Sequence, residues 1–273
     1  MRPIFYIHIS DRKFHFGMRT VASFTRTKYF IIEQIIKLKK KLTIIIPCYN
    51  EEKHIEKVLN RINETNPGCE KEVILVNDGS TDKTKENIDE FVLLHNYFPI
   101  TVIEHKKNRG KGACLKSAIE KITGDVVIIQ DADLEYDPKD YKKMMEPIED
   151  GFADVVFGSR FRGSDPHRGP FLLHRWGNHF FTSFINLLTR QNFTDIHTCF
   201  KMFKTDVLKK IKIEENRFGV DPEMVMKLSK IKSIKIYEIG ISYYGRSYSE
   251  GKKISWQDAF RALYCIIKYN FFR

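Results

Sequence analysis

The chain has 273 residues, 42% of them hydrophobic, and a net charge of +11. That length and apolar content exclude a disordered polypeptide and suit one domain with appendages. Five cysteines, at 48, 69, 114, 199 and 265, form no CxxC, which argues against a disulfide framework or structural zinc and predicts a reducing compartment.

The charge is concentrated at the start. Residues 1–41 carry ten Lys or Arg against two acids, and the remainder is nearly balanced. A basic arm that also holds Phe14, Phe16, Phe24 and Phe30 suits a polyanion such as an anionic membrane surface or nucleic acid, or is simply solvated. No zinc-finger spacing, RNA-binding signature or basic recognition helix supports nucleic acid. YFIIEQIIKL (29–38) is too short to span a bilayer, carries Glu33, and is followed by lysines rather than a cleavage site.

From Lys41 the rhythm is regular. LTIII (42–46) reads as a strand stopped by Pro47, and 51–64 as a helix with Ile55, Val58, Leu59 and Ile62 on one side. Strand VILV (73–76), a helix over 84–95, strand ITVI (100–103) and a helix over 112–121 follow. VVIIQ (126–130) is a fourth strand, 138–149 a helix with Pro138 in its first turn, and DVVFG (154–158) a fifth strand. Short, continuously apolar strands alternating with helices predict an α/β fold: a single mostly parallel sheet with helices on both faces.

The second half is less regular. Segment 171–190 is apolar and aromatic-rich but contains Arg175, two histidines and two asparagines, so it reads as interfacial rather than spanning. A helix over 220–230, a partly alternating edge strand over 234–244, and a helix over 255–269 with Trp256, Phe260, Leu263 and Ile267 along one side complete the chain.

In a parallel sheet, ligands bind beyond the carboxyl ends of the strands. Those ends carry PCYNEE (47–52), NDGS (77–80), the segment 105–112, DAD (131–133) and Ser159-Arg160. Asp131 and Asp133, with Glu135 nearby, are oxygen donors suited to Mg²⁺ or Mn²⁺, and Mg²⁺ is commonly shared between carboxylates and a substrate diphosphate. Helix capping by three solvated acids is the plain alternative. No GxGxxG follows the first strand, and Gly110-Lys111-Gly112 lacks the rest of a P-loop, which argues against dinucleotide and ATPase readings. Asp78 could accept from a base or ribose, and Arg109, Lys111, Arg160, Arg175 and Arg246 are potential phosphate partners.

Taken in order, IIPCYNEE (45–52), LVNDGSTDKT (75–84), KNRGKGACLKSAI (107–119), DADLEYDP (131–138), FGSRFRG (157–163), TDIHTCFKMFKTDVL (194–208), FGVDPE (218–223) and the stretch 237–269 resemble family 2 inverting glycosyltransferases of the GT-A fold. Within that family they look like the polyprenyl- and dolichyl-phosphate mannose and glucose synthases. The resemblance implies that Pro47, Tyr49, Glu51 and Asp78 hold the nucleoside and that Asp131, Asp133 and Glu135 hold the metal. It also implies that Arg160, Arg175 and Arg246 attend donor or acceptor phosphate, and that 171–190 faces the membrane. Asn77 stands where many members have Asp, and Cys199 and Lys201 stand in place of Gly and Arg. The expected organisation is an extension over 1–41, a transferase domain over 42–250 and a C-terminal amphipathic helix over 251–273, at the cytoplasmic face of a membrane.

The implied reaction moves a sugar from a nucleoside diphosphate, UDP-glucose or GDP-mannose in type, with inversion. The acceptor stays open. A polyprenyl phosphate is already ionised and needs cations around it, whereas a hydroxyl needs a base, for which Asp221 or Glu223 could serve.

Overall fold

The computed structural model describes residues 40–95, 97–163, 166, 168, 172–246 and 256–271. The basic arm as far as residue 39, with Phe14, Phe16, Phe24 and Phe30, lies outside the described residues, as does the approach to the last helix over 247–255.

The first half alternates β1 (Lys41–Cys48), α1 (Ile55–Glu64), β2 (Glu70–Asn77), α2 (Thr84–Leu94), β3 (Ile100–Glu104), α3 (Lys111–Ile119) and β4 (Val126–Ile129). A 3-10 turn over Pro138–Asp140 leads into α4 (Tyr141–Glu149), then β5 (Val155–Ser159) and α5 (Leu172–Thr189). The remainder is β6 (Lys201–Lys204), α6 (Thr205–Lys210), α7 (Val220–Leu228), β7 (Ile236–Gly240) and α8 (Trp256–Phe271).

The strands form one sheet in the order β3-β2-β1-β4-β6-β5-β7. Every pairing is parallel except those of β6, which runs against both β4 and β5. The sheet splits the core in two. Ile44 and Leu75 join α1, α2 and α4 on one face, while Ile45 and Val76 join α3 and α5 to α8 on the other. Both layers follow from the pleat, since successive residues of a strand point to opposite faces. Each fully buried Ile or Leu contributes about 1.5–3 kcal/mol, which is why continuous apolar runs form the central strands.

Three local differences from the sequence reading matter. The helix expected from residue 51 begins at Ile55, because Glu51 N donates to Thr84 Oγ1 and Asn50 takes a left-handed φ of 52°. Residues 52–54 form a turn that closes on the Glu51 carbonyl, which accepts from His54 N and Ile55 N, before the helix begins. The four-residue β6 and the short α6 were not predicted, being too short to show periodicity. In α8 the buried residues are Ala262, Cys265, Ile266 and Tyr269, and the side carrying Phe260 and Ile267 faces outward.

Glu72 fastens the end of the sheet opposite the strand exits. It accepts from Thr43 Oγ1 at 2.6 Å and Thr123 N at 3.0 Å, and pairs with Lys41. Burial works to raise its pKa, but the Lys41 ammonium and the threonine hydrogen bonds outweigh it and hold the carboxyl at about 2. A depressed folded pKa gives stability that is complete above the unfolded value and is lost as pH falls through the folded one. Glu72→Gln is therefore expected to flatten the pH dependence of the urea midpoint between roughly pH 4.5 and 2, with a loss on the order of 2 kcal/mol at pH 7. An unchanged acid limb would refute this role.

Candidate active site

The exits of β1, β2, β4, β5 and β7 lie on one edge of the sheet, and antiparallel β6 begins there. Lys201, its first residue, pairs in register with Ile129, two residues before Asp131. The site thus gathers at the switch between β1 and β4, where neighbouring crossovers leave in opposite directions.

Three cations hold the acids together. The Arg246 guanidinium reaches Asp133 at 2.6 Å, Glu135 at 3.2 Å and Glu51 at 3.6 Å. Lys111, itself buried, lies 3.2 Å from Asp131 and 3.8 Å from Asp221, and donates to Cys199 Sγ at 2.9 Å. Burial would lower the Lys111 pKa, but the Asp131 and Asp221 carboxylates hold it well above the usual lysine range. Lys201 is wholly buried, pairs with Asp221 at 2.7 Å and also donates to the Thr198 carbonyl. Arg246 thus gathers Glu51, Asp133 and Glu135, while Lys111 and Lys201 gather Asp131 and Asp221.

The oxygen donors fit a hard divalent ion. Asp133 is buried, and burial together with the Asp131 and Glu135 charges pushes its carboxyl up to about 8. Crowded carboxylates of this kind are relieved by a divalent cation, and Asp131 and Asp133 offer oxygen atoms for it. Glu135 has other duties. Its carboxylate accepts from Arg246 N and Nε and from the Tyr243 hydroxyl, which ties the exit of β7 to that of β4. Among the described residues a second group, Asp78, His105 and Cys114, brings ligand atoms within 4.8 Å of one another. Its nitrogen and sulfur donors suit a softer ion than Mg²⁺. Burial also raises the Cys114 pKa, so that side chain is a thiol rather than a thiolate.

Several expected roles shift. Asp78 is buried and accepts from His105 Nδ1 at 2.6 Å, Arg109 N at 3.0 Å and Gly110 N at 2.6 Å, so it shapes the loop before α3. Arg160, expected to meet phosphate, instead makes a two-pronged contact with Asp195 at 2.6 and 2.8 Å. Its guanidinium also faces the Tyr243 ring at 5.1 Å. Arg175 is exposed on α5, with its guanidinium 5.8 Å from the Phe161 ring, and touches none of the acids above. Glu223 accepts from Glu214 N, Glu215 N and Lys227, which removes it as a base. Pro47 and Tyr49 line the exit of β1, half-buried. The sequence reading assigned no role to Lys201 or Asp195. The signal available was the departure at Lys201 and the acid at 195 within the TDIHTCFK stretch.

The loop 214–217 packs on Gly110-Lys111-Gly112. A Cβ on Gly110, whose φ is 97°, would stand 2.5 Å from the Asn216 carbonyl oxygen, and one on Gly112 would strike the Glu215 carbonyl. Gly112→Ala is expected to cost about 1–3 kcal/mol and to lower donor affinity by moving Lys111. A thermal melt and a nucleotide titration check both effects; unchanged values would mean that the loop yields freely.

An acid pair at the strand exits, cations around it and a mixed, mostly parallel sheet define a metal-dependent GT-A glycosyltransferase. Such an enzyme moves a sugar, with inversion, from a nucleoside diphosphate to an acceptor oxygen. The Glycosyl transferase family 2 model matches residues 43–212, and the chain belongs to that family. It is 27% identical over 84% of its length to a dolichol-phosphate mannosyltransferase of Pyrococcus furiosus, of which it spans 64%. It is 25% identical over 84% of its length to a UDP-N-acetylglucosamine–dolichyl-phosphate N-acetylglucosaminyltransferase of Methanococcus voltae, covering 95% of that protein. Among solved structures it resembles glucosyl-3-phosphoglycerate synthase from Mycobacterium tuberculosis, in complex with Mn²⁺, UDP and phosphoglyceric acid. That match has a TM-score of 0.69 at 15% identity and covers 88% of this chain and 82% of the other.

Proposed function

We propose that this protein transfers a hexose from a nucleoside diphosphate to a polyprenyl phosphate at a membrane surface. The observation that carries the acceptor half is the state of Asp221. Burial would raise its pKa, but Lys111 and Lys201 hold it below the usual carboxylate range, with one oxygen occupied by Lys201 at 2.7 Å. A carboxylate so held is a poor proton acceptor, and a phosphate acceptor requires none. The metal, held by Asp131 and Asp133, would offset charge on the departing diphosphate. Lys111 and Arg246 keep that acid cluster in place and bring positive charge close to the incoming phosphates.

Two outward faces support the membrane half. On α5, Trp176, Phe180 and Leu187 are exposed, and on α8, which packs against α5, so are Phe260, Tyr264 and Phe271. Among the described residues no helix is long and apolar enough to cross a bilayer, so the fit is to the interface. The polyprenyl-linked relatives at 25–27% identity point the same way.

A second reading, transfer to the hydroxyl of a small acid, is favoured by the fold neighbours that hold phosphoglyceric acid. One assay separates the two. Purified protein with Mn²⁺ is given labelled UDP-glucose or GDP-mannose, with either polyprenyl phosphate in detergent or 3-phosphoglycerate. A chloroform-extractable product, retained within about fivefold by Asp221→Asn, is expected. A water-soluble glycosyl acid, lost in that variant while donor binding persists, would establish the hydroxyl reading instead.

A further inference from the structure

Helix α3 begins without a side-chain cap. Gly110 holds the position before it, and Lys111 is its first residue. The leading N–H groups of a helix have no partner inside it and need one from elsewhere. The loop 214–217 supplies one, since the Asn216 carbonyl accepts from Ala113 N at 3.0 Å. The Glu215 carbonyl closes so tightly on Gly112 that a Cβ there would lie 2.2 Å from its oxygen. The loop thus sets the first turn of α3, and that turn carries the Lys111 ammonium 3.2 Å from Asp131.

The same loop is fastened to α8. The Arg261 guanidinium makes a two-pronged contact with the Glu215 carboxylate, Nε donating to Oε2 and Nη2 to Oε1, each at 2.9 Å. The Tyr269 hydroxyl donates to that carboxylate at 3.2 Å, and Lys268 stands at 3.8 Å. Arg261 also lies over the Tyr264 ring at 4.9 Å. Exposure decides what the pair is worth. Ion pairs in water contribute little, and the Arg261 side chain is 53% exposed. The Glu215 side chain is only 4% exposed, so losing the guanidinium leaves a buried carboxylate without its closest counter-charge.

We infer that Arg261 is a positioning residue for sugar transfer: through Glu215 it holds the loop that fixes Lys111 beside the acid pair. It acts on the loop and not on the substrate. Without it the Glu215 carboxylate is relieved by moving toward water, and the backbone that caps α3 moves too. Lys111 then leaves the place where its charge offsets the departing diphosphate. A shift of about 1 Å in such a group costs up to roughly 10²-fold in rate.

The test has two readouts, and only the first rests on the transferase reading above. Transfer is measured on the full chain for the natural protein, Arg261→Ala, Arg261→Lys and Glu215→Gln. Glu72→Gln, at the opposite end of the sheet, is the control for lost stability. The expected kcat of Arg261→Ala is roughly ten- to hundredfold down, with Arg261→Lys between, while Glu72→Gln stays within about twofold. Millimolar guanidinium restores much of the Arg261→Ala rate, because the free cation refits the buried carboxylate, and does nothing for Glu215→Gln. The second readout is acetylation of Lys111 by an activated acetyl ester, followed by mass spectrometry. In Arg261→Ala it is expected to run about tenfold faster. Lys71, held by three carbonyls at the end of α1, reports general loosening and should label as before. An Arg261→Ala rate like that of Glu72→Gln, unchanged labelling of Lys111, or a joint rise at Lys111 and Lys71 would each overturn the inference. If the natural protein transfers no sugar from any donor, the proposed function fails by itself, and the labelling of Lys111 still decides whether Arg261 positions it.

Discussion

Asp133→Asn is expected to lower sugar transfer at least roughly 10³-fold and to weaken Mn²⁺ binding, while the protein stays folded. Asp133 sits in the tightest part of the acid cluster, buried, with Asp131 and Glu135 beside it and Arg246 at 2.6 Å. An amide has the same shape but brings no negative charge to a divalent ion. Crowding by like charges is relieved in the variant, which limits the cost of losing the Arg246 pair. Manganese titration followed by electron paramagnetic resonance separates the two effects. Cys114→Ser provides the control, because Asp78, His105 and Cys114 are the competing ligand group. If the serine variant loses Mn²⁺ and Asp133→Asn keeps both metal and activity, the assignment of the metal to the β4 exit is wrong.

The second large effect is on stability. Asp195→Ala is expected to cost about 3–5 kcal/mol, since it strips both hydrogen bonds from a guanidinium that then stays buried without a counter-charge. Asp195 is itself fully buried and also accepts from Arg160 N. Burial works to raise its pKa, but Arg160 outweighs it and the carboxyl lies below its ordinary value. The stability this gives is present above the unfolded carboxylate pKa, near 4, and drains as pH falls toward the lower folded value. Urea titrations of the natural protein and the variant from pH 7 to 3 should therefore converge at the acid end. The double change Arg160→Met with Asp195→Leu should recover a large part of the loss, because an apolar pair needs no mutual neutralisation. A variant as stable as the natural protein at pH 7 would show that the guanidinium finds water instead.

These two residues show how unevenly the chain reveals itself. Asp133 could be read directly. VVIIQDAD places an acid pair at the end of a continuously apolar run, and such a run has to be a covered strand of a parallel sheet. The alternation of strands and helices up to β5, the mostly parallel sheet with helices on both faces and the convergence of strand exits all follow from that local patterning. Burial on two faces demands apolar residues at every strand position, and a parallel order demands crossovers, so each constraint is written within a few residues of where it acts.

What lay beyond the sequence was pairing across long distances. Nothing near residue 201 says that its ammonium will meet an acid twenty positions away, because a four-residue strand has no period to read. Only the antiparallel insertion of β6 between β4 and β5 brings Lys201 to the active edge. The arginines carry the same lesson. Arg160 and Arg246 both looked like cations awaiting phosphate, yet one is bound to Asp195 and the other sits among Glu51, Asp133 and Glu135. The sequence by itself determined the α/β sheet, the edge that bears the site and the acids that form it. The tertiary structure alone decided which charge neutralises which. Coulomb attraction and desolvation depend on distance and burial, and both are set only when the strands have taken their order.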